Sequence, residues 1–306
     1  MVASVDAIVL AGDRGAARAV GGVANKSLLP VGGHSLLERV LLALLQVEAV
    51  GRIVVVGPEH LLRPVVAGIE PPGRIELLEQ ADTAYANFWR AFTHLEQSSD
   101  GERIDRQVLV TGADMPLVSA GELREFLHNC ARRDLDYCVG MSAEAALRRF
   151  YPTASLPGIH MRYLHLAEAS LRLNNLHLVR PRRVQNRDYI DEVYGFRYQR
   201  DIGNMLRTAR DLLGQEGVGW RALRLYLMLQ LAELGHQRGW PRWWDYFRSK
   251  VTRRDVEAIA SSVLQTRAGI VETTQGGCAI DVDNEQDYAV LQLRWEEFRR
   301  GEESGP

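Results

Sequence analysis

Lys26 follows a loop rich in glycine and alanine that carries two further cations, Arg14 and Arg18. An apolar run ends in Leu10-Ala11-Gly12-Asp13, the loop continues as Arg14-Gly15-Ala16-Ala17-Arg18-Ala19-Val20-Gly21-Gly22, and Asn25-Lys26-Ser27-Leu28-Leu29-Pro30 comes next. Glycines let backbone N–H groups approach phosphate oxygens, and concave runs of such groups bind anions. Arg14, Arg18 and Lys26 supply positive charge for a triphosphate. The loop fits neither the Walker A spacing nor G-x-G-x-x-G, which argues against a P-loop NTPase and a dinucleotide dehydrogenase. The plain alternative is a Gly-rich surface loop.

Two carboxylate stretches lie further along. Leu109-Val110-Thr111-Gly112-Ala113-Asp114-Met115-Pro116 is an apolar strand that delivers Asp114 to its end, after which a proline turns the chain away. Mg²⁺ takes hard oxygen ligands, commonly one or two carboxylates plus substrate phosphates, and a strand-ending Asp suits it; the alternative is an Asp that caps the next turn. Ile280-Asp281-Val282-Asp283-Asn284-Glu285 reads, from its residues alone, as the N-cap of a final helix. The eight histidines form no H-E-x-x-H, and no G-x-S-x-G occurs, so zinc and serine-hydrolase chemistry have no support.

Positioning these residues falls to alternating strands and helices. Strands are expected at Ala7–Leu10, Ile53–Val56, Ile75–Leu78, Val108–Val110 and Tyr137–Val139. Ser35 with Glu38, and Ser119 with Glu122, read as capping boxes that open helices to about Glu48 and Arg132. Asp82 or Thr83 caps a third helix to Glu96. Such alternation implies a parallel sheet with helices on both faces and ligands beyond the carboxyl ends of the strands. From 150 to 265 the text reads as mostly helical, with helices at Met161–Leu173, Ile202–Leu213, Trp220–Leu234, Trp240–Lys250 and Arg254–Gln265. A strand at Gly269–Thr273, an extended Ala279–Asp283 and a helix from Glu285 to about Arg299 then resume the core. The expected organisation is a core of residues 1–149 and 266–300, an insertion of 150–265 and a flexible tail of 301–306.

The opening segment resembles the L-A-G-G-x-x-x-R-M-G-x-x-K-x-L-L-P motif of the nucleotidyltransferase superfamily. Its members include MobA-like molybdenum-cofactor guanylyl- and cytidylyltransferases, methylerythritol phosphate cytidylyltransferase and sugar-1-phosphate nucleotidyltransferases. Asp114-Met115-Pro116 resembles the family's G-D-x-P, and Ile280 to Glu285 its D-I-D-T-P-E box. Asp13 replaces the usual second glycine, Val20 the usual Met, and the loop to Lys26 is about three residues longer than in close relatives. The resemblance implies a Rossmann-like GT-A core with a mainly parallel sheet, and Mg²⁺ shared by Asp114 and Asp283 with Asp281 in support. It also implies catalytic roles for Lys26 and Asp114, and nucleotide contacts from Leu10, Ala11, Gly12, Arg14, Gly15, Arg18 and Lys26. Gln80, Thr83 and Asn87 stand where relatives read the base. The implied partners are an NTP (CTP or GTP) and a phosphorylated small-molecule or lipid-linked acceptor. The rival readings are a nucleotide- or sugar-phosphate-binding regulator that kept the fold, and a GT-A glycosyltransferase, which would carry its D-x-D after the fourth strand.

Bulk properties agree. The 306 residues are 46% hydrophobic and 25% charged, enough for one large domain or two moderate ones. No apolar run approaches a membrane span, no secretion signal opens the chain, and three cysteines without C-x-x-C form neither a disulfide framework nor a zinc site; the expected compartment is the cytoplasm. The formal charge of −2 hides an asymmetry, because residues 180–254 hold 15 Arg and 1 Lys against 8 Asp and Glu, a net of +8. That segment reads as a solvated helical face or as a surface that meets a phosphorylated acceptor or acidic lipid, the Arg180, Arg182 and Arg183 cluster foremost. Nucleic acid is not an expected partner.

Overall fold

The computed structural model describes residues 4–12, 20–70, 73–97, 106–186 and 219–303. Its main sheet is built from β1 (Val5–Leu10), β4 (Val50–Gly57), β5 (Ile75–Glu79), β6 (Val108–Gly112), β7 (Tyr137–Ala143), β8 (Leu164–His165), β9 (Ser170–Val179) and β10 (Ala268–Thr273). β2 (Pro30–Val31) and β3 (His34–Ser35) form a separate small hairpin. Across the main sheet the order is β10-β7-β9-β6-β1-β4-β5, with β8 paired to β9. β9 runs antiparallel to β6, β7 and β8, while the other pairings are parallel. This is the mixed, mainly parallel α/β sheet that the strand–helix alternation of the sequence implies.

Alternation along the strands distributes apolar side chains to two faces. Ala7, Val9, Ile53, Val55 and Leu109 pack under α1 (Leu36–Leu45) and α4 (Ala120–Ala131), through Leu41, Leu44, Leu123 and Phe126. Ile8, Val54, Val56 and Val108 face α3 (Ala84–Gln97) through Ala91, Phe92 and Leu95. Each fully buried Leu or Phe contributes about 1.5–3 kcal/mol. α2 (Glu59–Ala67) and α5 (Glu144–Leu147) are short connectors. Ser35 and Glu38 close the expected capping box on α1. Thr83, not Asp82, caps α3 by accepting the Ala86 N–H at 3.0 Å.

The later half departs from expectation. Met161–Leu173 is not a helix: it contains β8, and its last residues begin β9. Leu164 with Leu171, and Leu166 with Leu173, recur at the seven-residue interval of two helical turns, and a register shift opposite Val139–Met141, with Asn175 at φ 58, breaks the two-residue alternation that would have marked a strand. Residues up to Val184 therefore belong to the sheet core, and the boundary expected at 150 is displaced. Ile202–Leu213 lies outside the described residues. Among those described, the helical part comprises α6 (Gly219–Gln237), α7 (Pro241–Arg248) and α8 (Arg253–Leu264). The piece read as extended, Ala279–Asp283, begins at the end of the 3₁₀ turn Gly277–Ala279 and is extended from Ile280. α9 (Glu285–Glu303) continues past the expected core limit at 300 into the segment read as a tail. No helix among the described residues is long and apolar enough to cross a membrane.

The Arg180, Arg182 and Arg183 cluster is occupied by the protein itself. Arg182 forks onto the nearly buried Glu96 at 3.1 and 2.6 Å. Asp136 takes Arg183 at 3.1 Å, Arg180 at 3.5 Å and Arg267 at 2.8 Å. These arginines close the β7–β9–β10 end of the sheet and are not a surface awaiting an anion. Hydrogen bonds from Arg267, more than offsetting partial burial and joined by Arg183, hold the Asp136 carboxyl below its ordinary 3.8. A depressed carboxyl pKa stabilises the fold above the unfolded value and loses that contribution as pH falls through the folded one. Asp136→Asn is therefore expected to cost about 2 kcal/mol at neutral pH, discounted for the half-exposed arginines. The gap to wild type should begin to narrow below about pH 4 and close only as pH falls through the lower folded value. Denaturant titrations from pH 7 down to pH 2 check this; equal stability of the two proteins at pH 7 would refute it.

Candidate active site

At the carboxyl edge of the sheet the chain turns out of β1 at Ala11, out of β6 at Ala113, and from β10 through the 3₁₀ turn into Asp281-Val282-Asp283. Lys26 opens the short 3₁₀ turn Lys26–Leu28, which is fixed by Asn25. The buried Asn25 side chain donates to the Ala11 carbonyl at 2.8 Å and accepts the Ser27 N–H at 2.9 Å. One amide thus ties the end of β1 to the lysine turn. The Ala113 N–H donates to the Leu10 carbonyl and the Val282 N–H to the Asp114 carbonyl, each at 3.2 Å. Gly112 leaves room for the Asp114 side chain to turn back, since a Cβ there would stand 2.6 Å from Asp114 Oδ1.

These ties bring Lys26, Asp114 and Asp283 together. Lys26 Nζ lies 2.5 Å from Asp114 Oδ2 and 3.1 Å from Asp283 Oδ1, and it donates to the Val282 carbonyl at 3.2 Å. Burial works to lower the Lys26 pKa, but Asp114 and Asp283 overcome it and push it well above the ordinary value. Burial works to raise the Asp283 carboxyl; the Lys26 charge and hydrogen bond outweigh it and hold the carboxyl low. Asp281 sits behind the pair. Burial and then the Asp283 charge raise it to about 6, against the pull of Arg172. Arg172 Nη2 donates to Asp281 Oδ1 at 2.7 Å and its Nε to the Ala279 carbonyl at 2.8 Å. That arginine had no signal in the sequence, because it reaches the site only through the antiparallel course of β9.

Gly12, Gln80 and Asn87 also meet. A Cβ on Gly12 would come within 3.1 Å of Asn87 Nδ2 and 3.5 Å of Gln80 Oε1. Asn87 is buried and accepts the Ala81 N–H at 2.5 Å, which pins the loop after β5. The Thr83 hydroxyl serves as the α3 cap, and the Leu10 side chain lines an apolar cavity of about 90 Å³ beneath α3, with Tyr85 and Phe88. Arg14, Gly15 and Arg18, with Asp13, lie outside the described residues. The far end of the loop is anchored: the Gly21 N–H donates to Glu285 at 2.7 Å, and the Tyr288 hydroxyl to the Pro30 carbonyl at 2.9 Å.

The sequence motif that encodes this geometry matches a known family. Residues 7–210 match the MobA-like NTP transferase domain. The chain belongs to that family. A hypothetical transferase from Thermus thermophilus shares its fold, with a TM-score of 0.66 at 24% identity over 93% of this chain and 99% of that one. A 4-diphosphocytidyl-2C-methyl-D-erythritol synthase from Anaerococcus prevotii DSM 20548 superposes at a TM-score of 0.49 and 11% identity, over 97% of this chain and 100% of that one. None of the curated proteins matches the sequence. The MobA-like chain departs from its own sequence pattern at α4. Ser119 caps the helix by accepting the Glu122 N–H at 3.0 Å, but Glu122 does not return the bond. Its fully buried carboxylate instead accepts from Thr273 Oγ1 at 2.6 Å, Gly276 N at 3.1 Å and Cys278 N at 2.9 Å. Glu122 thereby fixes the turn that leads into Asp281 and Asp283.

Glu122→Gln keeps the shape but turns one acceptor into a donor facing those same donors. The expected cost is about 2–3 kcal/mol. Hydrogen exchange at the amides of Gly276 and Cys278 should accelerate while β1 and β4 stay protected. Unchanged exchange at those two amides would remove Glu122 from this role.

Proposed function

We propose that this MobA-like protein transfers a nucleoside monophosphate from an NTP, CTP or GTP, to a phosphorylated acceptor and releases pyrophosphate. The observation that carries the reading is the single lysine ammonium within reach of two carboxylates from widely separated segments of the chain. Such a pair, already sharing one cation, suits a divalent ion; Asp281 backs Asp283 by a hydrogen bond, and no cluster of three ligating side chains stands among the described residues. That donor set fits Mg²⁺, which accepts one or two carboxylates and takes its other ligands from water and phosphate oxygens. Asp114 and Asp283 would hold it, and when bound it would supply positive charge against the developing charge on the phosphates.

The chain's own residues account for the rest. An acceptor phosphate oxygen attacks the α-phosphorus as the bond to the bridging oxygen breaks, and the electron pair leaves with pyrophosphate. That oxygen is already anionic, so no general base is needed. Lys26 brings a charge that stays protonated at any working pH, and the Asn25 tie holds its turn at the end of β1. Gly12, with Gln80 and Asn87 beside it, presents backbone at the edge where base and ribose would lie. Catalysis on this reading is positioning and charge neutralisation.

Asp114→Asn and Asp283→Asn are each expected to lower pyrophosphate release by a factor on the order of 10²–10³ with little change in thermal stability. Near-normal turnover of Asp114→Asn would overturn the assignment. Lys26→Ala should reduce kcat more than it raises KM, because its charge matters most as charge builds on the leaving group. A change confined to KM would make Lys26 a uniform binder. A thermal-shift screen of the four NTPs with Mg²⁺ should single out one base.

A further inference from the structure

The α6–α7 hairpin carries an exposed aromatic and basic face that the transferase reading leaves unused. Trp220, Arg224 and Leu227, spaced i, i+4 and i+7, share one side of α6, and Trp220 is 70% and Leu227 45% exposed. On α7, Trp240, Trp243, Tyr246 and Phe247 form a contiguous ridge with ring centroids 4.9–6.0 Å apart between neighbours. Tyr246 is 58% exposed. The ridge is interleaved with cations: Arg238 stacks on Trp240 at 5.1 Å and Lys250 on Tyr246 at 5.0 Å, with Arg242 between them. Both acids of residues 219–252 are engaged elsewhere, Glu233 facing the buried His165 at 3.3 Å and Asp245 pairing Arg248 at 3.0 Å. Arg221, Arg238, Arg242 and Lys250 are left to set the sign of the face, joined by Arg224, which also feels Asp255.

The hairpin is bolted to one place. The Ala167 N–H donates to the Val251 carbonyl at 2.8 Å, Arg248 donates to the Leu166 carbonyl at 3.3 Å, and the Arg253 N–H meets Glu168 at 3.1 Å. All three anchors lie on the β8–β9 turn. Because β9 is antiparallel, that turn projects from the carboxyl edge of the parallel strands, the edge that holds Lys26, Asp114 and Asp283. Two residues into β9, Arg172 already touches Asp281.

We propose that this face seats the protein on an anionic lipid surface and that the acceptor is carried by that surface; the second clause rests on the transferase reading. Tryptophan and tyrosine place an apolar ring in the acyl boundary and a polar edge among headgroups, while arginine and lysine meet the phosphates. A second copy is a poor occupant, because a two-fold contact would set Arg221, Arg224 and Arg242 against their own equivalents. The hairpin that bears the face is fastened at the same edge of the sheet as the site, so docking would bring that edge toward a membrane-borne phosphate.

The test uses the full chain and does not depend on turnover. Co-sedimentation is measured with phosphatidylcholine vesicles and with vesicles in which roughly a third of the lipid is phosphatidylserine, at low and high salt. The protein should sediment with the anionic vesicles only, and less at high salt. Changing Arg221, Arg224 and Arg242 together to Gln should weaken binding by on the order of 10²-fold. Trp220→Ser with Tyr246→Ser should weaken it while leaving the salt dependence in place. Neither set touches the site, so pyrophosphate release with a soluble phosphorylated acceptor should keep its wild-type rate; loss of that activity in wild type would fault the transferase reading and leave the lipid result standing. Equal binding to neutral vesicles, no vesicle binding, retention by single-stranded RNA instead, or a dimer that dissociates in the Ser variant would each overturn the docking proposal.

Discussion

Two mutually repelling carboxylates must be held beside a single cation, and most of the architecture follows from that demand. Asp114 and Asp283 enter from different strands, and Lys26 bridges them from a third segment. Like charges at this spacing are tolerable only with a counter-charge between them, and the response of their neighbours shows the tension. Lys26 is driven more basic, Asp283 more acidic, and Asp281 behind them is pushed to about 6 by burial and by Asp283. Arg172 offsets part of that cost. The site is a small charge lattice with its own internal order before any substrate arrives.

Holding that lattice still is the work of buried polar groups rather than of the apolar core. Asn25 joins β1 to the lysine turn, Asn87 pins the loop after β5 against Gly12, and Glu122 takes three donors from the turn beyond β10. Each is nearly or fully buried, and a buried amide or carboxylate left unsatisfied costs about 1–3 kcal/mol, so each loop is locked by the need to pair. Preorganisation of this kind suits chemistry that runs on charge placement, because the dipoles need not reorganise when charge moves.

The antiparallel strand gives the molecule its second theme. β9 runs against its neighbours, which delivers Arg172 to the site and the β8–β9 turn to the same edge, and on that turn the α6–α7 hairpin is fastened. An element that is apolar nearly all round, as α6 is, needs cover on several sides. Its own Ala222, Ala232 and Gly235 are buried, Gly235 under Trp243 and Trp244 of α7. What remains uncovered is the aromatic and basic face.

The three residues that meet at the candidate site were legible as candidates in the sequence by itself. Lys26, Asp114 and Asp283 stand in short contiguous motifs at predictable element ends, and a strand-loop-helix alternation is a local pattern that needs no partner to be read. The sheet's mainly parallel course, the Ser35–Glu38 cap and the helices that became α6, α7 and α8 were equally local. Only the tertiary structure decided the rest. A bulge at Asn174–Asn175 hid β9 by breaking its two-residue period, so a core strand looked like part of a helical insertion. Glu122 looked like a capping partner of Ser119, yet its carboxylate serves a turn some 150 residues away, a pairing that no local spacing records. Arg180, Arg182 and Arg183 looked like an exposed basic cluster until Asp136 and Glu96, brought in from distant segments, took up their charge. Local motifs fix which residues can do the chemistry, because backbone geometry at a strand end repeats; which charges are left free depends on partners that meet only when the chain is folded.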